Sequence, residues 1–165
     1  MMDSLPLLIA ALREELQQYG EMLARLDHQQ DCVMRRAADD LLQSVEAVHG
    51  QGIVIYRARR ERELLQSELA RHAGLATEAS FAQLILKLPM DYRPLVQALI
   101  QENNELLVRV QQRARQNHLL LARSLELMQN LIGSLFPAAH NPVYGEAGTL
   151  FASGAPLRPR YEAVG

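Results

Sequence analysis

The sequence predicts an all-α protein: an elongated antiparallel helical bundle, in effect a coiled-coil-like hairpin of long helices with one short connecting helix and a flexible C-terminal tail. Three observations predict it. Leu, Ala, Gln, Glu and Arg dominate a chain with 5% aromatic residues and no Trp, the usual makeup of long helices. Apolar residues recur at steps of three and four over stretches far longer than an ordinary helix. Glycine and proline are sparse in those stretches and crowd the last 28 residues, 138–165.

The longest periodic stretch is DYRPLVQALIQENNELLVRVQQRARQNHLLLARSLELMQNLIGSLFP, from Asp91 to Pro137. Asp91 is placed to accept hydrogen bonds from the free N–H groups of a first turn. Pro94 fits inside that turn, where a missing N–H does no harm. A helix over about 92–136 would be a rod of roughly 65 Å, which needs other long helices beside it. Leu99, Leu106, Val110, Leu120, Leu127 and Leu131 form one apolar line. Ile100, Leu107, Ala114, Leu121, Met128 and Leu135 run beside it. From Leu119 onward apolar residues dominate, so the second half carries more apolar surface than one packing partner covers.

Earlier in the chain, Ser4 and Pro6 open a first helix of about 4–28, with Leu8, Leu12, Leu16, Tyr19, Leu23 and Leu26 on its apolar face. The pattern loosens at Asp27–Asp31, which predicts a turn or bend within 27–35. A second long helix is expected over about 33–73, on the line Leu41, Val45, Val48, Ile55, Leu65 and Leu69, with a kink at HGQG, 49–52. Gly74 is placed to end it. Thr77 or Ser80 then caps a short helix of about 79–88, stopped by the Leu88–Pro89 step. Residues 1–137 make one helical domain on this reading. Residues 138–165, rich in Gly, Pro, Ala and Ser and without a period, make a flexible tail.

The composition also excludes function classes. Formal net charge is −2, with no bias toward nucleic acid or membrane insertion. No run of about 18 apolar residues is present to span a bilayer. The first charge, Asp3, is not that of a secretory signal, and the one cysteine, Cys32, suits a reducing compartment, so a cytoplasmic location is expected. His28 and Cys32 are two potential ligands at i,i+4, short of the four a structural zinc needs, and no cofactor is expected. YRARRERE, 56–63, mixes four arginines with two glutamates and reads as a solvated, salt-bridged face. Phosphate loops and nucleophile motifs are missing, so an enzyme is not expected. Of the asparagines on the long rod, Asn103 or Asn104 must be exposed. Asn117 falls on the apolar stripe, where an amide can fix helix register or bind the backbone of another segment.

NHLLLARSLELMQNLIGSLFP, 117–137, followed by VYGEAG, 143–148, resembles the C-terminal region of the FlgN family, export chaperones of the bacterial flagellum. The resemblance rests on Asn117 three residues before the pair Leu120 and Leu121, on Pro137, and on Tyr144, Gly145 and Gly148 as a Tyr-Gly-x-x-Gly signature. Ala114 stands where many members carry a further asparagine, so a paired-amide role is not carried over. The resemblance implies a helical, cytoplasmic, non-enzymatic chaperone for type III flagellar export. Its clients would be the hook-associated (hook–filament junction) proteins, held by their C-terminal helical segments. It would shield them from premature assembly and deliver them to the export gate and the components associated with the export ATPase. Asn117, Leu120, Leu121, Met128, Leu131, Ile132 and Leu135 are then the candidate client-binding residues. Tyr144, with Gly145 and Gly148, becomes the candidate for docking to the export gate. In the free protein a homodimer, or the tail folded back, could cover the same stripe. A structural or adaptor coiled coil acting through self-association, or a chaperone for another secretion client, shares most of this physics.

Overall fold

A computed structural model of the chain describes residues 4–135, all of them in helices, turns or short connections. The chain divides into two compact units, Met1–Glu126 and Leu127–Gly165. The first holds α1 (Ser4–Arg35), α2 (Ala38–His72), α3 (Phe81–Lys87), a 3-10 turn (Met90–Tyr92) and α4 (Arg93–Leu135) as far as Glu126. In the second, the described residues are 127–135, the last run of α4. No strand occurs among the described residues, and the fold is an all-α helical bundle.

α1 buries a heptad line. Leu5, Leu8, Leu12, Glu15, Tyr19, Met22, Leu26 and Gln29 recur at alternating steps of three and four. α2 runs antiparallel to it and is its closest neighbour. Gln51 reaches Gln18 and Arg62 reaches Glu15, while Leu69 and Ala70 pack with Leu5, Leu8 and Ile9. α2 faces α1 with short side chains at Ser44 and Ala58, and Gly52 lies against Met22, which lets the two backbones approach closely. α4 runs parallel to α1. Asn103 bonds the Leu12 carbonyl and Asn117 bonds that of Leu26, each pair 91 residues apart in sequence, so the register is constant over two heptads.

Two apolar clusters fill the bundle. Leu8, Leu12, Leu69, Leu84, Leu88 and Val96 are almost fully buried in or beside the first. Each contributes roughly 1.5–3 kcal/mol on burial. The second gathers Tyr19, Met22, Leu26 and Val110.

The turn between α1 and α2 differs from the sequence expectation. α1 continues through residues 27–31 to Arg35, because Gln29 and Cys32 extend the buried line while Asp27, His28 and Asp31 lie on the solvent side. The reversal falls at Arg36 and Ala37, so α2 begins at Ala38 rather than near Val33. Arg36 adopts a left-handed φ of 56°, its N–H donates to Val33 O, and the Ala37 N–H donates to Cys32 O. That is the Schellman closure usually built on glycine. Gly74, with φ 70°, closes α2 the same way, as Leu75 N–H donates to Ala70 O.

α2 is continuous through 49–52, because Gln51 is buried there and bonds both the backbone and side-chain oxygens of Gln18. Ser80 rather than Thr77 caps α3, in a reciprocal capping box with Gln83. Asp91 lies in the 3-10 turn instead of capping α4. Arg93 fixes that corner by donating to the carbonyls of Leu86 and Leu88, which the end of α3 leaves free.

Candidate functional site

The sequence put the candidate site on α4, and the structure divides those residues between two environments. Asn117 is 1% exposed. Its Nδ2 donates to Leu26 O at 2.7 Å and to Gln29 Oε1 at 3.0 Å, both on α1. Its amide is thus engaged by α1, the register-fixing arrangement of the two that its place on the stripe allows. Asn103 lies two heptads earlier and also bonds α1, donating to Leu12 O at 3.0 Å and, on its own helix, to Leu99 O at 2.9 Å, while Asn104 is exposed. In both buried amides the Oδ1 has no hydrogen-bond partner. An unpaired buried acceptor costs stability, whereas a carbonyl that only an aligned amide can reach specifies register.

Past Asn117 the helix becomes an uncovered apolar surface. In the first unit, Leu119 and Leu125 are exposed, and Leu120 and Leu121 are half-buried. In the second, Leu127, Met128, Leu131, Ile132 and Leu135 are between 51% and 64% exposed within nine residues. A run so rich in aliphatic side chains and so uncovered is unusual for a free-standing surface. In sequence, Leu121, Leu125, Met128, Ile132 and Leu135 follow steps of four and three, the spacing of a coiled-coil line. Tyr144, Gly145 and Gly148 lie outside the described residues.

The packed part of the bundle holds a polar cluster that the sequence reading did not isolate. Arg62, taken with its neighbours as part of a solvated face, instead points inward and meets Glu15 at 2.9 Å and 3.4 Å. Both side chains are shielded, at 14% and 5% exposure. Tyr19 Oη donates to Glu15 at 2.8 Å, Arg62 donates to Gln66 at 3.1 Å, and Gln66 donates to Ala79 O at 3.0 Å. The Arg62 guanidinium also lies 5.7 Å from the centre of the Phe81 ring, within cation–π range. Burial, and next the Glu15 carboxylate, push the Tyr19 phenol well above its ordinary pKa, so it stays a neutral donor. The available signal was Glu15, a carboxylate on the apolar line between Leu12 and Tyr19. A buried charge there requires a cation from another helix. By contrast, Arg59 and Arg60 pair with Glu63 at the exposed surface, as expected for a solvated face.

His28 Nε2 lies 3.6 Å from the buried Cys32 Sγ. Among the described residues no group of three His, Cys, Asp or Glu side chains is placed to hold a metal ion. No described helix is long and apolar enough to cross a membrane.

The described residues form an all-α helical bundle whose α1 and α4 are held in register by buried asparagines. Residues 1–150 match the FlgN protein family, and the chain belongs to that family of flagellar export chaperones. The family is a chaperone family rather than an enzymatic one. No curated protein and no solved structure matches the chain.

Proposed function

We propose that the protein is a cytoplasmic type III export chaperone that binds the C-terminal helical segments of hook–filament junction proteins, keeps them from premature assembly and hands them to the export apparatus. The observation that carries this reading is the apolar seam of α4. An amphipathic client helix laid along Leu121, Met128, Leu131, Ile132 and Leu135, with Leu120 at its edge, would bury what the fold leaves in water. Met128 gives that surface a side chain able to adapt to more than one client. Asn117 supports the seam indirectly, by holding α4 in register on α1 just before the seam begins.

Calorimetric titration with the C-terminal helical segments of junction proteins tests the reading. A 1:1 complex of about micromolar affinity or better is expected. Leu121→Glu and Met128→Glu should each weaken it about tenfold or more, because a carboxylate would be buried unpaired. Tyr144 is proposed as the contact to the export gate, with Gly145 and Gly148 letting the chain conform to it. Tyr144→Ala should therefore leave client affinity unchanged and lower export. Loss of client affinity in that variant would remove the gate assignment.

A further inference from the structure

α2 carries apolar side chains on two opposite faces. One face, through Ser44, Gln51, Ala58 and Leu69, is buried in the bundle. The other, half a helical turn away, carries Leu42, Ile53, Tyr56 and Leu64 at 66%, 45%, 69% and 55% exposure. These residues share their stripe with exposed Glu46, His49, Arg57 and Arg60. All of them lie within the unit Met1–Glu126.

The order of residues along this stripe is self-complementary. Two copies of α2, laid antiparallel about a twofold axis at Ile53, place Ile53 against its own symmetry mate. Leu42 of each copy then meets Leu64 of the other, equally spaced from the axis. Between them, Glu46 of each copy meets Arg60 of the other, so both charged layers are attractive. Gly50 is exposed and has open space around its Cα, and it falls opposite Tyr56 of the other copy, giving the ring a flat place to lie. His49 falls opposite Arg57 of the other copy in this register, and no two formally charged side chains of like sign face each other along the stripe. A parallel pairing would set Glu46 on Glu46 and Arg60 on Arg60.

We propose that this face of α2 is the homodimer interface of the free protein, with the second copy packed antiparallel across Ile53. Twofold symmetry requires the same patch to be complementary to itself, and the stripe meets that condition in its apolar layers and in the two Glu46–Arg60 layers. Arg60 pairs with Glu63 of its own helix at 3.6 Å, an exposed contact weak enough to be shared or exchanged. The stripe spans about 33 Å of helix. A single helix pair of that length buries on the order of 1,000 Å², at the weak end of specific association, so the dimer is micromolar and reversible.

Sedimentation equilibrium of the full chain, from micromolar to several hundred micromolar, tests the proposal, with circular dichroism to confirm folding. The wild type should show a monomer–dimer equilibrium. Ile53→Arg puts two cations at the axis and should weaken dimerisation about tenfold or more. Glu46→Arg and Arg60→Glu should each weaken it, and the double charge swap should restore it. A chain that stays monomeric throughout overturns the proposal. So does a dimer indifferent to Ile53→Arg, or a double swap no better than its single variants. The Glu46 and Arg60 variants decide the matter on their own if Ile53→Arg fails to fold. Client titration is a separate readout, so a failed dimer leaves the chaperone reading standing, and the reverse.

Discussion

At the residue scale, a few polar side chains decide how the helices align. Glu15 is buried with its charge, and Arg62 is the cation that makes this tolerable. Arg62→Ala would leave a carboxylate under the bundle without a counter-ion, at a cost of about 3 kcal/mol or more. A urea melt should show that loss as a lower midpoint. Arg62→Met combined with Glu15→Leu should recover most of it, because a well-packed apolar pair serves as well as a buried ion pair.

Tyr19 supplies a pH dependence of defined sign. Its folded-state pKa is raised above the ordinary value of about 10, so its contribution to stability is complete below that pH and is lost as pH rises beyond it. Tyr19→Phe should remove that share of the alkaline destabilisation, visible as a shallower fall of stability with pH. Gly74 is a simpler case. Its φ of 70° with Ala in place of Gly costs about 1 kcal/mol, read as a lower thermal midpoint for Gly74→Ala.

At the element scale, the helices were legible because their periodicity is a local property of the sequence. Ser80, Pro94 and Gly74 mark ends whose chemistry is also local. The turn at Arg36 was not legible, since a left-handed arginine carries no sign of itself and the polar run before it imitates a break. What keeps α1 helical there is burial of Gln29 and Cys32 against other helices, which no local pattern reveals. The same distinction explains the asparagines. The position of Asn117 on the stripe was visible and that of Asn103 was not, and whether either amide met α1 depended on a register fixed 91 residues away. Asn117→Leu should lower thermal stability by about 1 kcal/mol, because the buried Gln29 Oε1 loses its donor. It should also loosen the alignment of α4 on α1, seen as faster amide exchange in the part of α4 before it.

At the scale of the whole molecule, the same heptad geometry is used twice. Where polar locks punctuate it, at Glu15 with Arg62 and at Asn103 and Asn117, it closes the bundle upon itself. Where it continues without them, from Leu119 to Leu135, it is left open. The surplus of apolar residues in that half was plain in the sequence. The exposure of Leu127, Met128, Leu131, Ile132 and Leu135 is visible only in the structure.

Hydrogen exchange of the full chain, with and without the C-terminal helical segment of a junction protein, tests the central claim most directly. Added client segment should slow exchange of the amides in residues 119–135 by tenfold or more, about 1.4 kcal/mol of added protection, and leave α1 and α2 nearly unchanged. Protection that appears on α1 or α2 while residues 119–135 exchange as fast as in the free protein would contradict it.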